Sequence, residues 1–375
     1  MSEHIDTLDD LNKHIPLKEK LVRIHQVIKQ SLPYVARIAI SLYDPKTRIL
    51  KTFIHSSDNN NPLPHYQAPI EEAPSLKAIL DKKQPRIINN MLTFDDGSHE
   101  HMQRLGRSGY AASYTMPIFN DGDFLGFLFF NSTQTDVFDS KTLAQIDVFG
   151  HLISLMLIKE LSTIRTLAAA LKTASKITHL RDPETGSHLD RMSRYSRLIA
   201  TALADKYSLE DDYIEHVFMF SPLHDIGKIG IPDEVLMKKG RLTEEERKLM
   251  RTHAMKGREI IDEILKEFGL EGFDYVEILR NITEFHHESV DGSGYPAGRR
   301  GSDIPLEARI VAVADVFDAL TSKRCYKEAW TNEEAFAQLQ KMAGETLDAD
   351  CVQALLDNRD EVENIQRYFC ENAYG

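Results

Sequence analysis

A change of hydrophobic period part-way along this chain constrains its fold more than any other feature. In the first ~150 residues apolar side chains recur at alternate positions in short runs, and after Leu180 they recur at helical spacing. Ala36, Ile38, Ile40 and Leu42 repeat every second residue, which predicts a half-buried strand, and Asp44-Pro45-Lys46-Thr47 turns the chain into another strand around 49–54. Two apolar runs, 114–119 and 124–131, flank Asn120-Asp121-Gly122-Asp123. An Asp-Gly step between such runs is a hairpin signal, because both central residues must take positive φ. A helical period then follows from Ser140 through Ile146, Phe149, Ile153 and Leu157. Beyond Leu180 the helical stretches are 192–203, 213–220, 244–265, 276–285 and 306–320. The segregated patterns predict a multidomain chain: an α+β domain over 1–155, a connecting helix over 156–180 and an all-α domain over 181–375.

No glycine or proline interrupts 152–182, so a continuous connecting helix is expected. Leu157, Leu161, Ile164, Ala168 and Leu171 make a seam of about two heptads, short for a coiled coil. It either pairs two subunits as a signalling helix in a homodimer or packs on its own domain. The first six residues have neither a basic start nor an apolar core, and the apolar run 152–158 is far shorter than a membrane span. Cys325, Cys351 and Cys370 are too few for a disulfide framework. A soluble, cytoplasmic protein with no membrane partner is the expectation. The net charge of -13 argues against long nucleic acid, which needs a basic face, but not against a small anion held by local cations.

Every cluster that carries chemistry falls in the helical half. His286-His287-Glu288 leads into a turn, Asp291-Gly292-Ser293-Gly294-Tyr295-Pro296, and His224-Asp225-Ile226-Gly227-Lys228 lies upstream. Glu184 and His188 are four apart and would share a helix face. His253 lies in a helical stretch that opens with Glu244-Glu245-Glu246, and Asp315 sits in the apolar run 310–320. A carboxylate buried there unpaired would be expensive, so Asp315 calls for a cation, either a metal or an arginine. Adjacent helical side chains diverge by about 100°, so His224 and Asp225 can serve one metal only near a bend, or if the aspartate bridges two. Imidazole and carboxylate are the side chains that hold catalytic first-row metals, and this many in one half of a chain point to a metal site.

These motifs are specific enough to name a resemblance. Residues ~165–355 resemble an HD-GYP domain, a subclass of the HD superfamily of metal phosphohydrolases. It is carried by 181–188, by His224-Asp225-Ile226-Gly227-Lys228 through Pro232, by His253, by His286-His287-Glu288 with Gly294-Tyr295-Pro296, and by Asp315 through Lys327. The resemblance implies hydrolysis of cyclic di-GMP to linear pGpG, with continuation to GMP left open, at two or three divalent ions. His188, His224, Asp225 and Asp315 match the general HD ligands. His253, His286 and His287 match those added for a second metal, with Asp225 bridging, and Glu184 matches a third-metal position. Lys228 is assigned to the scissile phosphate, with Asp225 as its catalytic companion. Arg324 and Lys327 match positions that contact phosphate and guanine, while Tyr295 either packs in the turn or lines the substrate cleft. A ligand set without thiolate favours iron or manganese over structural zinc, and the resemblance implies iron first and manganese second.

The element order over roughly 15–155 resembles a GAF domain, whose members bind cyclic nucleotides, chromophores, haem or nothing. This region has no cysteine, the thiol that a thioether-linked chromophore needs, so an unknown small ligand is expected there. The segment 95–101, Asp-Asp-Gly-Ser-His-Glu-His, reads as a solvated loop rather than a metal loop. Two alternatives stay open: a phosphodiesterase for another cyclic dinucleotide such as cyclic GMP-AMP, and a non-catalytic protein that binds a cyclic dinucleotide for signalling.

Overall fold

The computed structural model describes residues 6–58, 61–91, 100–179, 186–270, 272, 275–322 and 329–370, with backbone alone at 100–103, 168 and 170–179. The chain divides into two units, Met1–Thr163 and Ile164–Gly375.

The first unit is built on six strands, β1 (Val35–Asp44), β2 (Ile49–Ser57), β3 (Gln67–Pro69), β4 (Arg86–Ile88), β5 (Ala112–Asn120) and β6 (Asp123–Ser132), in the order β3-β2-β1-β6-β5-β4. Every pairing is antiparallel. The predicted hairpin closes β5 and β6, with Asn120 opposite Asp123 and positive φ at Asp121 (50°) and Gly122 (92°). β1 departs from its half-buried expectation. It lies between β2 and β6 with both faces covered, so Arg37 and Ser41 are buried along with the alternating apolar residues. Helix α1 (Leu17–Ser31) packs on β1 and β2 through Leu21, Ile24 and Ile28. Helices α2 (Pro74–Lys82) and α3 (Glu100–Arg107) follow, and residues 95–99 of the acidic loop lie outside the described residues.

Helix α4 (Ser140–His179) runs unbroken through 152–179, the described part of the stretch without glycine or proline, and passes Gly150 before it. Leu157, Leu161 and Ile164 of the seam are all buried within the chain, and the side chains of Ala168 and Leu171 lie outside the described set. Ser140–Leu167 is long and apolar enough by length and composition alone to cross a membrane, and its most apolar 18 residues are 33% buried. The run 152–158 understated this because scattered polar residues interrupt it.

The second unit is helical: α5 (Gly186–Ala202), α6 (Ala204–Tyr207), α7 (Asp211–Phe220), α8 (Asp233–Leu236), α9 (Glu244–Arg251), α10 (His253–Glu267), α11 (Val276–Phe285), α12 (Leu306–Thr321), α13 (Asn332–Met342), α14 (Ala349–Leu356) and α15 (Arg359–Tyr368). Helix α12 is apolar nearly all round and therefore sits at the centre, against α5, α11, α13 and α14. The stretch 244–265, expected as one helix, is two. Thr252 donates its hydroxyl to Leu249 O (2.7 Å) and His253 gives Nδ1–H to Met250 O (2.8 Å), side-chain bonds that compete with the helical ladder where α9 ends. A capping box between Thr243 and Glu246 starts α9. Cys351 is buried and Cys370 exposed, both as free thiols, and Cys325 lies outside the described residues.

Candidate metal centre

Elements far apart in sequence bring seven of the expected ligands together. His188 lies on α5 and Asp315 on α12, while His224 and Asp225 fall between two 3-10 turns, Ser221–Leu223 and Ile226–Gly230. His253 is the first residue of α10, and His286 and His287 follow the end of α11. The bend that an adjacent His-Asp pair needs is thus supplied by 3-10 turns. Two groups form, Asp225–His253–His286–His287 and His188–His224–Asp315, and within each the ligand atoms lie within 4.8 Å of one another. Glu184, Arg324 and Lys327 lie outside the described residues.

Asp225 joins the groups. Its Oδ1 is 3.1 Å from His253 Nε2 and 3.6 Å from His286 Nε2, while its Oδ2 is 3.3 Å from His224 Nε2 and 2.9 Å from Lys228 Nζ. Asp315 Oδ1 is 3.8 Å from His188 Nε2 and 3.9 Å from His224 Nε2.

The far side of each ring fixes its tautomer. His224, His253 and His286 present Nδ1 to the carbonyls of Ser221 (3.0 Å), Met250 (2.8 Å) and Ile282 (2.9 Å). A carbonyl can only accept, so Nδ1 carries the proton and Nε2 presents a lone pair to the site. Nε2 of His253, Nε2 of His286 and Oδ1 of Asp225 are buried and make no hydrogen bond among the described residues. Lone pairs that face one another at 3.1–3.6 Å repel unless a cation lies among them. The donor set therefore fits a divalent metal ion.

Electrostatics point the same way. Burial alone would push the Asp225 carboxyl up, but the Lys228 ammonium at its Oδ2 opposes this and holds it well below the usual carboxylate range. Burial first, and neighbouring imidazoles after it, push His286 and His287 down, so both rings stay neutral. Ionised carboxylate and neutral imidazole are the forms that bind metal.

Sequence reasoning missed a supporting layer. The fully buried carboxylate of α12 is Asp318 (0% exposed), not Asp315, whose side chain is 22% exposed in the cleft. Helical geometry turns Asp315 toward His188 and His224 and, three residues on, Asp318 into the core. Asp318 accepts from His188 Nδ1 (2.8 Å), Arg191 Nε (2.7 Å), Arg191 Nη2 (3.0 Å) and Ser322 Oγ (2.9 Å). It thus takes the arginine that had been considered for Asp315. The signal was present as paired i, i+3 spacings, His188/Arg191 on α5 and Asp315/Asp318 on α12.

Glu288 is the second omission. Its carboxylate accepts from the backbone N–H groups of Ala297 (2.7 Å), Gly298 (3.1 Å) and Arg299 (3.0 Å), clamping the turn that follows the paired histidines. A Cβ on Gly294 would lie 2.3 Å from Ser289 N, so only glycine lets this turn close. The turn carries Tyr295, whose ring lies 4.8 Å from that of His287, with the Arg251 guanidinium 5.2 Å from its centre. The contacts of the Tyr295 ring are thus to residues of the metal centre and α9, outside the turn itself. Gly227 serves another close approach: a Cβ there would fall 1.8 Å from His253 O, so glycine lets α10 bring His253 against the Asp225 turn.

With this geometry in place, comparisons with known proteins identify the parts. Residues 173–351 match the HD domain model and residues 16–157 match the GAF domain model. The chain carries a GAF domain followed by an HD domain. It is 44% identical over 207 residues to the "Cyclic di-GMP phosphodiesterase response regulator RpfG" of Xanthomonas campestris pv. campestris, an alignment covering 55% of this chain and 50% of that one. It is 40% identical over 207 residues to a "Probable cyclic di-GMP phosphodiesterase" of Vibrio cholerae, covering 54% of this chain and 47% of the relative. It is also 38% identical over 181 residues to a "3'3'-cGAMP-specific phosphodiesterase 2" of Vibrio cholerae, covering 48% and 33%. The GAF–HD chain spans about half the length of the first two relatives.

Proposed function

We propose that this GAF–HD protein is a metal-dependent phosphodiesterase of the HD-GYP type that opens cyclic di-GMP to linear pGpG. The observation that carries the reading is Asp225, whose carboxylate oxygens face different histidines, Oδ1 toward the lone pairs of His253 and His286 and Oδ2 toward His224. His188, His224 and Asp315 would hold one ion and His253, His286 and His287 another, with Asp225 shared; Glu184 is the candidate for a third. Iron is proposed first and manganese second: ligand softness favours both over structural zinc, and the HD-GYP resemblance puts iron first. Bound ions would supply a water acidic enough to ionise near neutral pH and polarise the phosphodiester.

The rest of the chemistry falls to the chain's own residues. Lys228, 18% exposed and 2.9 Å from Asp225 Oδ2, would donate to a phosphate oxygen and stabilise charge that develops there. Its ammonium also keeps Asp225 ionised. Tyr295 and the Glu288-clamped turn wall the site beside His287. Arg324 and Lys327 are proposed to bind phosphate and the guanine acceptor edge, for which an arginine fork is suited. In this reading the GAF domain regulates hydrolysis, and the protein acts in the cytoplasm as a homodimer.

Anaerobic incubation of iron-loaded protein with cyclic di-GMP, with the products separated by chromatography, tests the reading. Linear pGpG or GMP, lost on chelation, is expected. Cleavage of cyclic GMP-AMP alone would move this protein toward the third relative's named activity, and binding without cleavage in either metal would make it a sensor. Asp225→Ala is expected to abolish turnover and lower bound metal below two ions per chain. Full activity in that variant would refute the ligand assignment.

A further inference from the structure

The network behind the metal centre does not end at Arg191. Its guanidinium donates Nε–H and Nη2–H to Asp318 (2.7 and 3.0 Å), Nη2–H to Ser322 Oγ (2.7 Å) and Nη1–H to the backbone carbonyl of Phe369 (2.9 Å). Phe369 directly follows α15, whereas the HD domain match ends at residue 351. The acceptor at the outer edge of Arg191 therefore comes from a stretch beyond that match.

The side chain of Phe369 is clamped as well. Arg194 lies one turn along α5 from Arg191, and its guanidinium is 3.9 Å from the centre of the Phe369 ring. Arg194 is only 7% exposed, and Phe369 is half-buried against the HD core. A cation over an aromatic face attracts it, more strongly where water is displaced. Upstream, α15 is pinned by the buried Val362 and Ile365 and by Gln366, which exchanges two 2.9 Å bonds with Asn332. Ring on Arg194 and carbonyl on Arg191, Phe369 is held twice by one face of α5.

A guanidinium is planar, so an acceptor at its outer edge helps set the plane in which its other N–H groups meet a carboxylate. That carboxylate, Asp318, accepts from His188 Nδ1 (2.8 Å), which leaves the Nε2 lone pair on the side of Asp315. We propose that Phe369 is a positioning residue for the metal ligand His188, acting through Arg191 and Asp318, with α15 as the strap that carries it. This role rests on the metal-centre reading given under the proposed function and is indifferent to which phosphodiester is cut.

The test is calorimetric titration of the metal-free full chain and its variants with manganese, with urea unfolding followed by dichroism alongside. Losing a direct partner of a ligand costs about 10–100-fold in metal affinity; Phe369 stands two links further back, so Phe369→Ala is expected to weaken one bound ion by about threefold or more. Phe369→Leu, which keeps apolar bulk but loses the aromatic face, should weaken it in the same direction, and Phe369→Tyr should bind as the parent does. Tyr368→Ala, next in the chain but 73% exposed, should change nothing. In turnover of cyclic di-GMP, Phe369→Ala should raise the manganese concentration needed for half-maximal rate and leave kcat at saturating metal within about twofold. A Phe369→Ala chain that is less stable in urea yet binds manganese as the parent does would overturn the proposal. So would an equal weakening by Tyr368→Ala, or by Phe369→Tyr. No manganese or iron bound by the unmutated chain would instead overturn the metal-centre reading, and this role with it. Phe369→Leu decides the matter if Phe369→Ala fails to fold.

Discussion

Asp318→Asn probes the buried network behind the metal centre. Asp318 is fully buried and accepts four hydrogen bonds, two of them from Arg191, which is itself only 6% exposed. Burial alone would raise the Asp318 carboxyl, but His188 and Arg191 hold it below its ordinary value. An asparagine keeps the shape but removes the charge and presents an amide N–H to one donor. The Arg191 cation then remains in the core, still donating to Phe369 O and Ser322 Oγ but without its carboxylate. Breaking one side of a buried ion pair costs about 3–5 kcal/mol, and that loss is expected in urea unfolding of the HD domain followed by dichroism. Arg191→Met added to Asp318→Asn should recover part of the loss, because it removes the stranded charge. The contribution is a depressed-carboxyl one, present above the unfolded value near pH 4 and lost as pH falls through the folded value below it. Metal affinity should drop by about 10–100-fold in the single variant, since the His188 ring loses the acceptor that orients it. A loss under about 1 kcal/mol with unchanged metal affinity would refute the reasoning.

Three further outcomes follow from named contacts. Gly227→Ala places a Cβ 1.8 Å from His253 O, so α10 must move; a loss of about 1–3 kcal/mol or more in unfolding and reduced metal content are expected, and a variant with full metal content would show that the turn can yield. Glu288→Gln weakens three charge-assisted bonds, and faster amide exchange at Ala297, Gly298 and Arg299 is expected by mass spectrometry; unchanged exchange would remove the clamp. Burial pushes His216 down to about 4, against bonding to Asp212 O, so it stays neutral when folded. Both states are neutral above pH 6.5. Between 6.5 and 4 only the unfolded chain gains the proton, so about 3 kcal/mol of HD-domain stability should disappear, and His216→Gln should flatten that slope.

What could be read from the chain alone was local chemistry. The Asp121-Gly122 turn, α11 over Val276–Phe285 and the uninterrupted α4 follow from residue types whose backbone preferences act within a few positions. The choice of histidines and aspartates as ligand candidates is similar, because donor chemistry belongs to the side chain wherever it sits. Their arrangement required the tertiary structure. His188 and Asp318 are 130 positions apart, and no spacing rule says that Asp318, rather than Asp315, turns into the core to meet Arg191. Both faces of β1 are buried because other elements, α1 among them, pack over the sheet, which alternation within one strand cannot reveal. The break at Thr252 and the close approach at Gly227 likewise arise where one element meets another. Periodicity records which side of an element is apolar; only packing of the whole domain decides what that side, and every polar group among it, comes to face.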